Sequence, residues 1–413
     1  MTSAFRSLRH RNYRLFFVGQ GISLIGTWMQ QIAMSWLVYQ LSKSALLLGV
    51  VGFAGQIPTF LLSPFAGVMA DRWNKRRVLV ITQTLSMLQA FALAALVLMK
   101  AILVWHIIAL GILLGCVNAF DITTRQAFVP EMLEKKEDLG NAIALNSSLF
   151  NAARLIGPAI AGILIAIVGE GMCFLVNGIS YIAVIIALLM MKLERAPRRA
   201  ASESFRNEIT QGFSYVYNSV AMKSILLLLA LVSFVGVPYA VLMPIFAGSI
   251  LHGGAHTLGF LMTASGLGAL GGTIFLASRK GAMRLGMTTP VSGMVFGAGL
   301  MVFAYSRFLW LSLLLMAVTG FGIIVQMASS NMVLQYIVDD GKRGRVMSFF
   351  AMAFMGTAPF GSLLAGALAG RIGAPATLLL CGIGCVLGSL AFSSRLPLIQ
   401  RELAPIYVQK EII

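Results

Sequence analysis

The chain has 413 residues, 58% of them hydrophobic and only 11% charged. Soluble domains carry about 25% charged residues, so an ordinary soluble protein is excluded. Runs apolar on every face, such as Ile225–Ala230, exclude an outer-membrane barrel of alternating strands. The net charge of +17 would suggest nucleic acid in a soluble protein; here it raises the question of where the positive residues fall.

In chain order, the basic stretch Met1–Arg14 leads straight into a long helix at Leu15, with no cleavage signal behind it. Apolar segments long enough to cross a bilayer follow at about 13–41, 45–70, 78–99, 103–124, 140–168 and 171–191. After a joint at 192–221 come 222–250, 256–278, 287–305, 309–335, 345–369 and 374–394. The reading is an all-α membrane protein of twelve transmembrane helices. Its parts are 1–191, a linker at 192–221, 222–394 and a tail at 395–413.

Positive residues favour the cytoplasmic side. With both termini inside, the outer loops hold only Lys43, Lys100, Arg307 and Arg371, and Arg154 alone lies within a span. The other basic residues fall on the cytoplasmic side, so the charge is a topology signal and nucleic acid is not an expected partner. In the linker, Phe205, Ile209, Phe213 and Tyr217 recur every four residues, the pattern of an amphipathic helix on the headgroups.

The halves repeat. A shift of 204 residues lays Gly157, Ala161, Gly162, Leu164, Gly169 and Gly178 onto Gly361, Ala365, Gly366, Leu368, Gly373 and Gly382. Transporters are often duplicated in this way, with the substrate site between the repeats.

The loop after the second span reads Gly67-Val-Met-Ala-Asp71-Arg72-Trp73-Asn74-Lys75-Arg76-Arg77. It resembles the signature of the major facilitator superfamily, with Asn74 in place of the usual glycine; asparagine, too, can take a positive φ in a turn. Gly67 would allow close helix approach, and topology alone requires no aspartate here. The resemblance implies a cytoplasmic latch made of Gly67, Asp71, Arg72, Arg76 and Arg77, joined by Asp121 and Arg125. The last two are one helical turn apart on the fourth span. The fifth span, Ala153-Arg154-Leu-Ile-Gly157-Pro158-Ala-Ile-Ala161-Gly162, is similar to the superfamily's antiporter motif, which accompanies exporters. Pro158 removes a helical hydrogen bond, and Gly157, Ala161 and Gly162 admit a neighbouring helix. Asn118 to Pro130, Asn141 to Pro158 and Arg343 to Ser348 resemble the transmembrane secretion effector branch, which includes siderophore exporters and macrolide efflux proteins. The resemblance covers nearly the whole chain and implies two pseudo-symmetric six-helix bundles.

Arg154 lies roughly 20 Å into its span at ~1.5 Å per residue. Burying it costs at least about 2.5 kcal/mol unless water or a partner compensates. It either faces the route and attracts an anionic substrate or a carboxylate, or clamps a packing seam. Asp121 is the one carboxylate that could carry a proton, and the first span lacks the acidic residue of some drug/proton antiporters. Polar side chains in the spans either line the route or hydrogen-bond a neighbouring helix: Asn151, Asn146, Asn118, Gln31, Gln326 and Asn331 foremost, with Gln20, Gln30, Gln56, Asn177 and Gln335.

Gly266-Leu-Gly268-Ala-Leu-Gly271 lies inside an apolar helix, so it is no dinucleotide loop; Gly268 and Gly272 suit a close helix contact instead. No phosphate-binding loop, metal-ligand spacing or catalytic triad is present. Cys116, Cys173, Cys381 and Cys385 read as packing residues. The expectation is therefore a monomeric exporter without cofactor or metal in the bacterial inner membrane. It would move siderophore- or drug-class amphiphiles by alternating access and proton antiport. A lipid or lysolipid flippase and a transport-inactive sensor are the alternatives.

Overall fold

The computed structural model describes residues 3–192, 214–278, 285–339 and 342–409. The amphipathic pattern at 205–213 lies outside them. Among the described residues the chain is helical and contains no strand. It packs as two compact units, Met1–Ala200 with Ala247–Thr263, and Ala201–Phe246 with Ala264–Ile413.

The first unit is built on α1 (Arg11–Ser42), α2 (Ala45–Arg72), α3 (Lys75–Leu98), α4 (Val104–Phe128), α5 (Leu139–Val168) and α6 (Glu170–Met190). Short joints are set by local chemistry. Lys43 takes a left-handed φ of 48° to end α1, and the Ser44 hydroxyl caps α2 by accepting from Leu47 N. Asn74 does not take a positive φ; at φ −69° its side chain accepts from Arg77 N and caps α3. Gly169, at φ 84°, breaks α5 from α6, a conformation that only glycine adopts without strain.

The remaining helices are α7 (Val220–Ile250), α8 (Ala255–Ala277), α9 (Leu285–Tyr305), α10 (Leu309–Ile337), α11 (Arg343–Ile372) and α12 (Ala374–Gln409). Single π turns interrupt α7 at Val232–Gly236 and Phe246–Ile250 and α11 at Met352–Gly356. Gly373, at φ 85°, separates α11 from α12. In the second unit α9 packs against both α10 and α12. Glycine brings α8 close to α10: a Cβ on Gly268 would sit 1.7 Å from the Ala317 carbonyl oxygen, and one on Gly272 2.5 Å from Ile324 Cγ2.

Eleven helices among the described residues are long and apolar enough to cross a membrane. The exception, α1, is 32 residues long but carries Gln20, Ser23 and Gln30. All three are turned inward and nearly fully buried, so its polarity serves the bundle interior. Many large apolar side chains are exposed, such as Ile156, Ile160, Ile163 and Ile167 along α5, as lipid contact requires.

Candidate functional site: the polar face of α5 and its surroundings

The first unit is tied together by buried polar bonds between helices. Gln30 on α1 donates to Gln89 on α3 at 3.0 Å, and Asn177 on α6 donates to Gln30 at 2.8 Å. These residues fasten helices rather than line a route. In the absence of competing water such amide bonds contribute of order 0.6 kcal/mol each.

Asp121 is 4% exposed. One carboxylate oxygen accepts from the Thr82 hydroxyl at 2.9 Å and the Gln83 amide at 2.7 Å, and the other pairs with Arg125 at 3.2 Å. Thr82 and Gln83 were not legible as partners in the sequence; only the one-turn spacing of Asp121 and Arg125 was. Its bonds to Thr82 and Gln83 join α4 to α3 and orient the two helices against each other.

The basic loop after α2 is dispersed. Arg76 donates to the Leu189 and Met191 carbonyls at 2.6 and 3.2 Å, satisfying the open end of α6. Lys75 pairs with Glu131 at 2.6 Å. Arg72 and Arg77 are exposed, and the Asp71 side chain lies outside the described residues. Gly67 makes no tight approach: a Cβ there would meet only Thr123 Cγ2, at an ordinary 3.9 Å. The close contact of α2 with α4 is at Gly115 instead, 2.6 Å from the Gly55 carbonyl oxygen and 3.1 Å from Pro58 Cδ by the same measure.

On α5, at about 100° per residue, Ser147, Asn151, Arg154, Pro158, Ala161 and Gly162 share one face. In the second half of the helix this face is closed. A Cβ on Gly162 would lie 3.0 Å from the Ala255 carbonyl oxygen and 3.1 Å from Gly259 Cα; one on Gly259 would lie 2.5 Å from the Pro158 carbonyl oxygen. The Thr263 hydroxyl donates to the Leu155 carbonyl at 3.4 Å. The segment Ala255–Thr263 belongs to the same compact unit. Gly157, turned toward α1, leaves no room either: a Cβ would fall 2.5 Å from Trp28 Cβ. Ala161 is fully buried.

In the first half the same face is open. Ser147 is exposed and Asn151 and Arg154 are half-buried. Asn151 donates back to the Ser147 carbonyl at 2.9 Å. Among the described residues no carboxylate lies within ion-pairing distance of Arg154. Asn146 is engaged elsewhere, accepting from the buried Tyr13 hydroxyl at 3.0 Å. Asn118 is half-buried and Gln31 exposed. In the second unit Gln326 is fully buried, and Asn331 is bonded to Gln335. No group of His, Cys, Asp and Glu among the described residues could hold a metal.

The chain matches the family described as transmembrane secretion effector over residues 2–409. It belongs to that family. Relatives match it over most of their length. The staphyloferrin A transporter of Staphylococcus aureus is 29% identical, covering 92% of this chain and 95% of its own. The multidrug efflux pump Tap of Mycolicibacterium fortuitum is 28% identical, covering 87% and 88%. The fold is that of the major facilitator transporters. A bacterial homologue of the lysosomal transporter Spinster, solved inward-facing and unoccupied, superposes with a TM-score of 0.72 at 12% identity over 95% of this chain and 98% of that one. This secretion-effector chain is thus a multi-pass membrane transporter of small molecules and not an enzyme.

Proposed function

We propose that the chain exports small amphipathic molecules of the siderophore or drug class across the bacterial inner membrane, by alternating access driven by proton antiport. The observation that carries this reading is the single face of α5, open and polar in its first half and sealed by glycine contacts in its second. A transporter exposing its route to one side at a time needs both conditions on one helix, and glycines let the seal form and part with little side-chain rearrangement. The names of the relatives supply the direction and the substrate class.

Asp121 supports the proton coupling: protonation would remove the charge that Arg125, Thr82 and Gln83 hold and loosen α3 from α4. The first half of α5 faces the cytoplasm in this reading, as do both termini, in keeping with the basic residues at 6–14 and 72–77. The transporter acts as a monomer.

Accumulation of a panel of siderophores and antibiotics in cells with and without the chain tests the function. Lower cellular levels of some members, restored by a protonophore, are expected; equal levels for every compound would refute export. Single cysteines at positions 75 and 205 should label only from the cytoplasm, and those at 43 and 307 only from outside.

A further inference from the structure

Resting on the export reading, we propose that the substrates of this transporter are carboxylates: amphipathic acids whose carboxylate is taken by Arg154 on the open face of α5. Several other basic side chains of the first unit are engaged. Arg6 lies 3.5 Å from Asp138, Lys75 bonds Glu131, Arg125 bonds Asp121 and Arg76 bonds carbonyls. Arg72 and Arg77 stand at the exposed helix end. Arg154 lies deep in a span, and among the described residues it has no ion pair or hydrogen-bonded carbonyl. A guanidinium in that position presents a planar fork of donors that matches a carboxylate in two parallel bonds.

The surroundings define the rest of the ligand. Asn151, three residues before Arg154, spends its amide N–H on Ser147, which leaves its carbonyl oxygen to accept from a substrate hydroxyl. Phe150, one turn before Arg154, is 47% exposed and meets Trp28 edge to face at 5.7 Å. Together they give a ring platform for an apolar or aromatic body beside the charge. One cation, one acceptor and an aromatic wall within two turns suit a hydroxylated, amphipathic acid.

The test uses two dyes with the same xanthene body. Rhodamine 110 carries a free carboxylate, and rhodamine 123 is its methyl ester. Binding to the purified full-length chain in detergent is followed by fluorescence anisotropy. The wild type should prefer the acid by about tenfold or more, the yield of one desolvated bidentate pair. Arg154→Gln should bring acid and ester to within about twofold by weakening the acid alone. Arg154→Lys, which keeps the charge and loses the fork, should fall between them, and it carries the test if the glutamine variant does not fold. A wild type without preference for the acid, or a variant that keeps the full preference, would overturn the assignment. The cell assay separates the two readings. Export of neutral and cationic compounds with no acid preference refutes the carboxylate class alone, and the absence of any export refutes the transporter reading beneath it.

Discussion

Gly169 and Gly373 lie 204 residues apart and share a left-handed backbone, φ 84° and φ 85°. Gly157 and Gly361, at the same spacing, both press on the first helix of their own half. A Cβ on Gly157 would strike Trp28 on α1, and one on Gly361 would come within 1.9 Å of the Phe234 carbonyl oxygen on α7. The polar residues do not repeat. Arg154 corresponds to Ala358, Asn151 to Met355, Pro158 to Ser362, Asp121 to Val325 and Arg125 to Ser329. The duplicated part is the part that packing dictates. Arg154, Asp121 and Arg125 have no charged counterpart at that spacing, so the two halves share a scaffold and differ in chemistry within the spans.

The largest effect expected is common to both halves. Gly157→Val and Gly361→Val each force a side chain into an occupied helix contact, and overpacking of this kind costs about 3 kcal/mol. Both variants should lose yield and melting temperature in detergent; a tolerant Gly361→Val would break the structural equivalence.

The next effect should be confined to the first half. Asp121→Leu leaves Arg125, Thr82 and Gln83 facing an apolar side chain, and removing one partner of a buried pair costs about 3 kcal/mol. Asp121→Asn keeps two of the bonds and should cost about 1–2 kcal/mol, with transport lost more than stability. Equal transport by Asp121→Asn and wild type would end the role of this carboxylate in coupling.

A smaller effect belongs to the second half. Glu402 on α12 accepts from the Ser219 hydroxyl at 2.6 Å and from Ala221 N at 3.1 Å, so it caps the start of α7 from a distant part of the chain. Glu402→Ala should cost about 1 kcal/mol, as cap removals do, without changing substrate preference.

The smallest concerns pH. His10 accepts from Glu134 N on one ring nitrogen and therefore donates from the other to Asp138, at 2.9 Å. That bond, with Arg6 and Lys135 as neighbouring charges, holds the Asp138 carboxyl below its usual value of 3.8. A carboxyl lowered in the folded state stabilises the contact at every pH above its unfolded value and loses that contribution as pH falls through the folded one. Hydrogen exchange at residues 3–10 should therefore show no Asp138-dependent change above about pH 4, and should rise below it in the wild type but not in Asp138→Asn. A change centred well above pH 4 and abolished by Asp138→Asn would contradict this.

The sequence made the helices legible because apolar length and basic loops report directly on a bilayer. It also made the Asp121–Arg125 pair legible, because that pair is local. It did not reveal Thr82 and Gln83 as partners of Asp121, nor the Gln30–Gln89–Asn177 chain. A polar residue in a span looks the same whether it faces a route or another helix, and only the neighbouring helix decides. Gly67 and Gly115 make the same point. Both read as small residues in spans, yet only Gly115 lies against a backbone.

The measurement that tests the α5 route most directly is substrate protection at Asn151. Asn151→Cys is made in a chain whose Cys116, Cys173, Cys381 and Cys385 are replaced, and its reaction with a maleimide is timed with and without an exported compound. The account predicts that the compound slows labelling and that the labelled protein no longer transports. Labelling at an unchanged rate, with full transport by the labelled protein, would contradict it.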